Sequence, residues 1–308
     1  MEGTQDMIYN LKILKPLQKN NIAVFFLKTS KINSQSYTNL NKGLYENKVG
    51  IQEYDDTGYR DLLRVKNLSN QNLLLLNGEQ IIGHKIKQNR VVASTSLIEK
   101  NSEGLIKVSC GEKNRWSALT NEEIGTSDSM FFSRQTLHKQ NLSWRQIDNY
   151  LDQNSIKSIT KDSSIVYKKN KNAVDNIVES FKPDESVIGL AVGNHYGITS
   201  LDVFSNPLLF KHYYKKILRS YVVANLSNNK KIINLNEQDV NIFLENVYIA
   251  EKRKIINLKG HYGEKYSLQS KKIVGNILYD KTKVVHFTAL LKNDLNEFPD
   301  KNKTRKVA

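Results

Sequence analysis

The residues whose types and spacing could do chemistry lie in two short segments. They are Asn77-Gly78-Glu79-Gln80-Ile81-Ile82-Gly83-His84-Lys85-Ile86-Lys87-Gln88-Asn89-Arg90 and Val108-Ser109-Cys110-Gly111-Glu112-Lys113-Asn114-Arg115-Trp116. Glu79 follows an Asn-Gly turn signal and Glu112 follows a second strand end, places that often carry functional side chains. If those ends lie side by side, Glu79 and Glu112 converge as catalytic carboxylates for acid–base work or share a cation. The alternative is two exposed loop glutamates. Lys85, Lys87, Arg90 and Arg115 offer a clamp for a phosphate or carboxylate, the Arg forks supplying bidentate contacts. Lysines protecting an exposed edge strand would look the same. Trp116 can stack on the Arg115 guanidinium, and Gln88 and Asn89 can read a polar ligand with donors and acceptors together.

Other chemistries are less well supported. Cys110 is the only cysteine, which excludes an internal disulfide. No cysteine-hydrolase signature surrounds it, so a structural role is favoured over a nucleophilic one. The six histidines show no metal-ligand spacing. His195 falls in a hairpin turn, His212 on a helix and His286 in a strand. Gly260-His261-Tyr262-Gly263 reads as a loop that could cover a site. There is neither a Walker A sequence nor a GxGxxG after a strand, and the residues name no cofactor.

The elements that must position these groups suggest an α+β fold. The N-terminal region is β-rich, sandwich- or barrel-like: Ile22 to Leu27, Leu62 to Asn67, Leu73 to Leu76, Arg90 to Ile98 and Leu105 to Ser109 read as strands, with one short helix over Tyr37 to Tyr45. A helical middle follows, with Ser133 to Leu151 and Ser164 to Phe181 at helical spacing. C-terminal hairpins with packed helices complete the chain. Ser186 to Val192 pairs with Gly197 to Phe204, and Lys271 to Tyr279 with Lys283 to Leu291. One helix opens at Asn206-Pro207 and another at Asn236.

The chain has 308 residues and a net charge of +15. That charge favours anionic partners, but the cations are dispersed and the abundance of Lys, Asn and Ile resembles a low-GC bacterial genome. A nucleic-acid surface is therefore a lesser expectation. The N-terminus does not read as a signal peptide and no run is apolar enough to span a membrane, so a cytoplasmic protein without membrane contact is expected.

Read in order, the motifs resemble the ARPP-1 family, named for its association with ARG and rhodanese-phosphatase-superfamily proteins. The resemblance rests on Leu73 to Leu76, Gly78-Glu79, Gly83, Lys87-Gln88-Asn89-Arg90, Val108-Ser109-Cys110, Glu112 and Arg115-Trp116. It continues through Gly189-Leu190-Ala191-Val192, Gly197, Leu201-Asp202-Val203-Phe204, Pro207, Phe210 and Arg219-Ser220-Tyr221, reaching Gly275 and Val285-His286. Two departures stand out. About two extra residues separate Gly83 from Lys87, by the tolerance of loops to insertion, and Gln80 replaces the second acid of the turn. The resemblance implies a single ARPP-1-like domain over 1–292, made of a β-rich part (8–125), a helical part (133–181) and an α+β part (182–292). A flexible basic tail, 293–308, follows. It also implies an enzyme or ligand-binding protein of NAD- or ADP-ribose-linked metabolism, taking an ADP-ribose-like, phosphate-bearing nucleotide metabolite. A non-catalytic binding or adaptor module is the alternative.

Overall fold

Strand β3 (Ile22–Lys28) shows the plan of the core. Ile22, Val24 and Phe26 enter one apolar cluster, while Ala23, Phe25 and Leu27 enter another. Side chains alternate along a strand, so an unbroken apolar run needs cover on both faces. The computed structural model supplies that cover. It describes residues 10–55, 61–82, 88–112, 134, 148–149, 151–152, 155–159, 162, 164–226 and 234–292, and the backbone of 125–127.

The fold is α+β. Its nine-stranded antiparallel sheet begins with β1 (Lys12–Ile13), which pairs with β3, as does β2 (Leu17–Lys19). From β3 the order continues through β13 (Gly189–Asn194), β14 (Gly197–Phe204), β19 (Lys283–Leu291), β18 (Ile273–Asp280), β17 (Glu264–Gln269) and β15 (Glu251–Ile255). Helices α2 (Ser164–Glu179) and α3 (Pro207–Ala224) cover one face, burying Val174, Phe210, Tyr213, Ile217 and Tyr221. Helix α4 (Glu237–Tyr248) covers the other with Val240, Phe243, Leu244 and Val247. The expected caps are present: Asn206 accepts from Leu209 N ahead of Pro207, and Asn236 forms a capping box with Asp239.

Two smaller sheets surround a third core. One runs from β12 (Gly125–Ser127) through β8 (Gln80–Ile82), β9 (Arg90–Val92), β11 (Ser102–Cys110) and β6 (Leu62–Asn67) to β5 (Val49–Glu53). The other runs from β16 (His261–Tyr262) through β10 (Ser96–Ile98) and β7 (Asn72–Leu75) to β4 (Tyr37–Asn39), with only β4 and β7 parallel. The leucine run around β7 joins two cores: Leu73 and Leu75 face the smaller sheets, whereas Leu74 and Leu76 face the helices.

Several boundaries differ from expectation. Tyr37 to Tyr45 is not one helix; it begins as β4 and continues as α1 (Leu40–Tyr45), capped by Asn39. Arg90 to Ile98 breaks at Ala93–Thr95 into strands of two different sheets. Gly260 to Gly263 is not a simple loop, because β16 pairs with β10. The N-terminal strands β1 to β3 join the C-terminal hairpins, a long-range pairing that local periodicity does not reveal. The expected helix over Ser133 to Leu151 lies mostly outside the described residues, although Leu151 is buried in the helix-side core. Among the described residues, no helix is long and apolar enough to cross a membrane.

Candidate functional site

Glu79 closes the turn between β7 and β8. Gly78 takes φ +91°, a conformation costly for residues with a Cβ. Glu79 N donates to Leu76 O, and the Glu79 carboxylate folds back to accept from Leu76 N at 2.7 Å. Its other oxygen meets Lys216 Nζ from α3 at 2.7 Å, and the same ammonium reaches Asn41 Oδ1 at 3.1 Å. Glu79 is fully buried and Lys216 nearly so. This ion pair ties the small sheets to the helix covering the large one.

Gln80 turns to the opposite side of the strand. Its Nε2 donates to Asp162 Oδ1 at 3.1 Å, and Asn89 Nδ2 donates to Asp162 Oδ2 at 3.4 Å. Asp162 also accepts from Ser164 N and Ser164 Oγ at the start of α2. An acid at position 80 would face Asp162 with like charge, which accounts physically for the amide. Gly111 makes the close approach possible: a Cβ there would lie 2.9 Å from Gln80 Nε2 and 3.2 Å from Asn89 O.

Glu112 is buried, and its carboxylate accepts from Asn89 N at 2.8 Å. Arg90 packs beside it in the strand ladder, opposite Cys110. Its guanidinium reaches Glu53 at 3.3 Å and donates to Cys110 Sγ at 3.5 Å. Burial raises the thiol pKa despite Arg90, consistent with a packing role for Cys110. Gln88 differs from all of these: it is fully buried, and among the described residues neither its Oε1 nor its Nε2 has a hydrogen-bond partner.

A second ionic cluster lies under α3. Asp202 of β14 accepts from Arg134 Nη2 at 2.6 Å, His286 Nε2 at 3.1 Å and the Tyr221 hydroxyl. Arg134 also bonds Thr288 Oγ1 and, at 3.1 Å, Tyr221 Oη. Burial would raise the Asp202 pKa, but Arg134 and His286 override it and hold the carboxyl at about 2. Burial pushes the His286 pKa down against the pull of Asp202; Nε2 meets the Asp202 carboxylate, and among the described residues Nδ1 has no hydrogen-bond partner. The Glu79 charge also acts on His286 and Tyr213, placing the two ionic centres within electrostatic reach.

The structure thus gathers Glu79, Gln88, Asn89, Arg90 and Glu112 onto adjoining strand ends, with Glu79 and Glu112 held by different partners. Lys85, Lys87, Arg115 and Trp116 lie outside the described residues. Asp162, Lys216, Arg134, Asp202 and His286 were not anticipated as site residues. Some signal existed, since Asp202, Tyr221 and His286 sit inside the segments that carry the family resemblance. Among the described residues, no group of three or more His, Cys, Asp or Glu side chains is arranged to hold a metal ion.

A family model for the ARG and Rhodanese-Phosphatase-superfamily-associated Protein domain matches residues 10–290. The chain belongs to the ARPP-1 family. The match runs from the first strands of the large sheet to its last, so the ARPP-1 domain includes both the Glu79 turn and the Asp202 cluster. No curated protein and no solved structure matches the chain.

Proposed function

We propose that this ARPP-1 protein binds a phosphate-bearing nucleotide metabolite of the ADP-ribose type at the Gln88–Arg90 strand end. Gln88 carries the proposal. A buried amide left without partners costs about 1–3 kcal/mol, and a polar ligand recovers that cost by supplying a donor and an acceptor. Lys87 and Arg115 are assigned to the phosphates, with Trp116 stacking on the ligand. The family's association with ARG proteins supports ADP-ribose-linked metabolism. Glu79 and Glu112 remain the candidates for acid–base work, with His286 within electrostatic reach of Glu79. Calorimetry with ADP-ribose, NAD and simple nucleotides tests the reading on the full chain. Binding of at least one is expected, weakened at least tenfold in Gln88→Leu while the melting temperature holds or rises. Absence of binding to all of them overturns it.

A second reading is favoured by the enclosure of Glu79. Its carboxylate is fully buried against Lys216 and Leu76 N, as a structural tie would be. In this reading the ARPP-1 chain is a non-catalytic module, and Arg90→Ala lowers its melting temperature without changing any ligand affinity. Retained stability with lost affinity or turnover would exclude it.

A further inference from the structure

Lys265 of β17 is buried, and among the described residues its side-chain nitrogen meets only neutral groups. His261 Nδ1 lies 3.0 Å away, with Ser94 Oγ and Ser96 Oγ each at 3.4 Å. Unlike Lys216, it has no carboxylate beside it among the described residues. Burial alone drives its pKa from 10.5 down to about 8, within the range where a lysine serves as a base near neutral pH.

The proton count in the cluster gives each group a direction. His261 Nε2 bonds Leu105 O, which places the ring proton there and leaves Nδ1 as an acceptor from Lys265. Burial lowers His261 to about 4, so the ring stays neutral. The Ser96 hydroxyl proton is committed to Ser94 O at 3.0 Å, so Ser96 Oγ must accept from Lys265. A neutral amine has two N–H bonds and one lone pair. His261 and Ser96 take the N–H bonds, and the lone pair is left for the hydroxyl proton of Ser94. Among the described residues, that proton has no other acceptor. Ser96 is buried whereas Ser94 is half-buried, so Ser94 is the hydroxyl an incoming molecule can meet.

We infer that Ser94 and Lys265 form a nucleophile–base pair for acyl transfer from carboxylic esters, with His261 and Ser96 orienting the lysine. A nucleophile within reach of a base that a third group orients is the arrangement such catalysis requires. Ser94 Oγ bonds to the ester carbonyl carbon as its proton passes to Lys265 Nζ. The tetrahedral intermediate collapses, the bond to the alcohol breaks, and the alcohol leaves with that proton. Water then attacks the acyl-serine and gives its proton to Lys265. The carboxylic acid departs and Ser94 recovers the proton. No oxidant or reductant is involved, and the inference does not depend on the Gln88 reading.

The break at Ala93–Thr95 sets this geometry. Thr95 turns toward the Glu79 turn and accepts from Asn77 N, whereas its neighbours Ser94 and Ser96 turn to Lys265. Strand β16 carries His261 to the edge of the same small sheet.

An alkyl fluorophosphonate on the full chain tests the pair, because attack by Ser94 Oγ expels fluoride and leaves a stable adduct. Mass spectrometry is expected to place the adduct on Ser94. Ser94→Ala should abolish it, and Lys265→Met should slow it at least a hundredfold in a folded protein. His261→Leu should slow labelling less than Lys265→Met does and shift its pH midpoint, and His261→Asn, which restores an acceptor near Nδ1, should recover it. No adduct at Ser94, or labelling unchanged by Lys265→Met, overturns the proposal. Ser94→Ala removes one half-buried hydroxyl, so the test stands even if the lysine variant fails to fold.

Discussion

Two buried lysines in this chain have opposite surroundings. Lys216 reaches from α3 to the Glu79 carboxylate, so its charge is matched inside the protein. Lys265 reaches from β17 to an imidazole and two hydroxyls, which stabilise an ammonium far less than a carboxylate does. Removing a charge from water is costly in both places, but only Lys216 recovers that cost by Coulomb attraction. The contrast separates architecture from reactivity. A matched pair fixes elements to one another, while an unmatched lysine gives up its proton more readily. Glu79 has the residue type and position of a catalytic acid, yet the less compensated group lies on the other side of the Ser94–Ser96 segment.

The largest effect should come from breaking the matched pair. Glu79→Ala strands the Lys216 ammonium between α3 and the small sheets, and such a loss costs about 3–5 kcal/mol. Urea unfolding should show it as a lower midpoint with little change in slope. Adding Lys216→Met should restore much of the loss, because the second substitution removes the stranded charge. A double variant no more stable than Glu79→Ala would mean that the two side chains do not act as a pair.

Lys265 should respond in the opposite direction. Its folded pKa is about 8, below its ordinary 10.5. Below pH 8 both folded and unfolded chains hold the proton, and the folded state bears the full penalty of burying it. Between pH 8 and 10.5 the unfolded chain holds more protons, so stability rises with pH; above that range both forms are neutral and the rise ends. The gain is roughly 3 kcal/mol for a shift of this size. Lys265→Met should remove this rise and melt at or above the parent near pH 7. A variant that keeps the alkaline rise, or is destabilised as strongly as Glu79→Ala, would erase the difference between the two lysines.

Local pattern reached some of this and missed the rest for a physical reason. The hairpin β13–β14, the strand pair β18–β19 and the helix opened by Asn206-Pro207 carry their signals within a few residues. The Glu79, Gln88–Arg90 and Glu112 segments were legible as one locality because adjoining strands β8, β9 and β11 also lie close in the chain. Lys216 and Asp162 were not legible as their partners. They lie 137 and 82 residues from Glu79 and Gln80, and nothing in a helix period specifies which strand end it will meet. The Lys265 cluster was hidden in the same way, its serines being 171 and 169 residues away. His261 was visible only as a histidine between glycines, since its role depends on β16 pairing with β10.

The smallest of these effects concerns the other side of the turn, where Gln80 rather than a lysine meets the carboxylate. Gln80 meets Asp162 as an uncharged donor, which lets one carboxylate collect Gln80, Asn89 and the start of α2. Gln80→Glu sets an acid against Asp162. Losing the hydrogen bond and gaining a like charge should cost roughly 1–3 kcal/mol near neutral pH. The loss should shrink on acidification, as one of the two carboxylates takes up the shared proton. Asp162→Asn in the same chain should recover most of it by giving the introduced carboxylate an amide donor. Thermal unfolding of the three variants at pH 5 and pH 7.5 reads the outcome. If Gln80→Glu were as stable as the parent at pH 7.5, the amide would not be there to accommodate Asp162. The turn would then owe its electrostatic contribution to charge matching at Lys216 rather than to the Gln80–Asp162 contact.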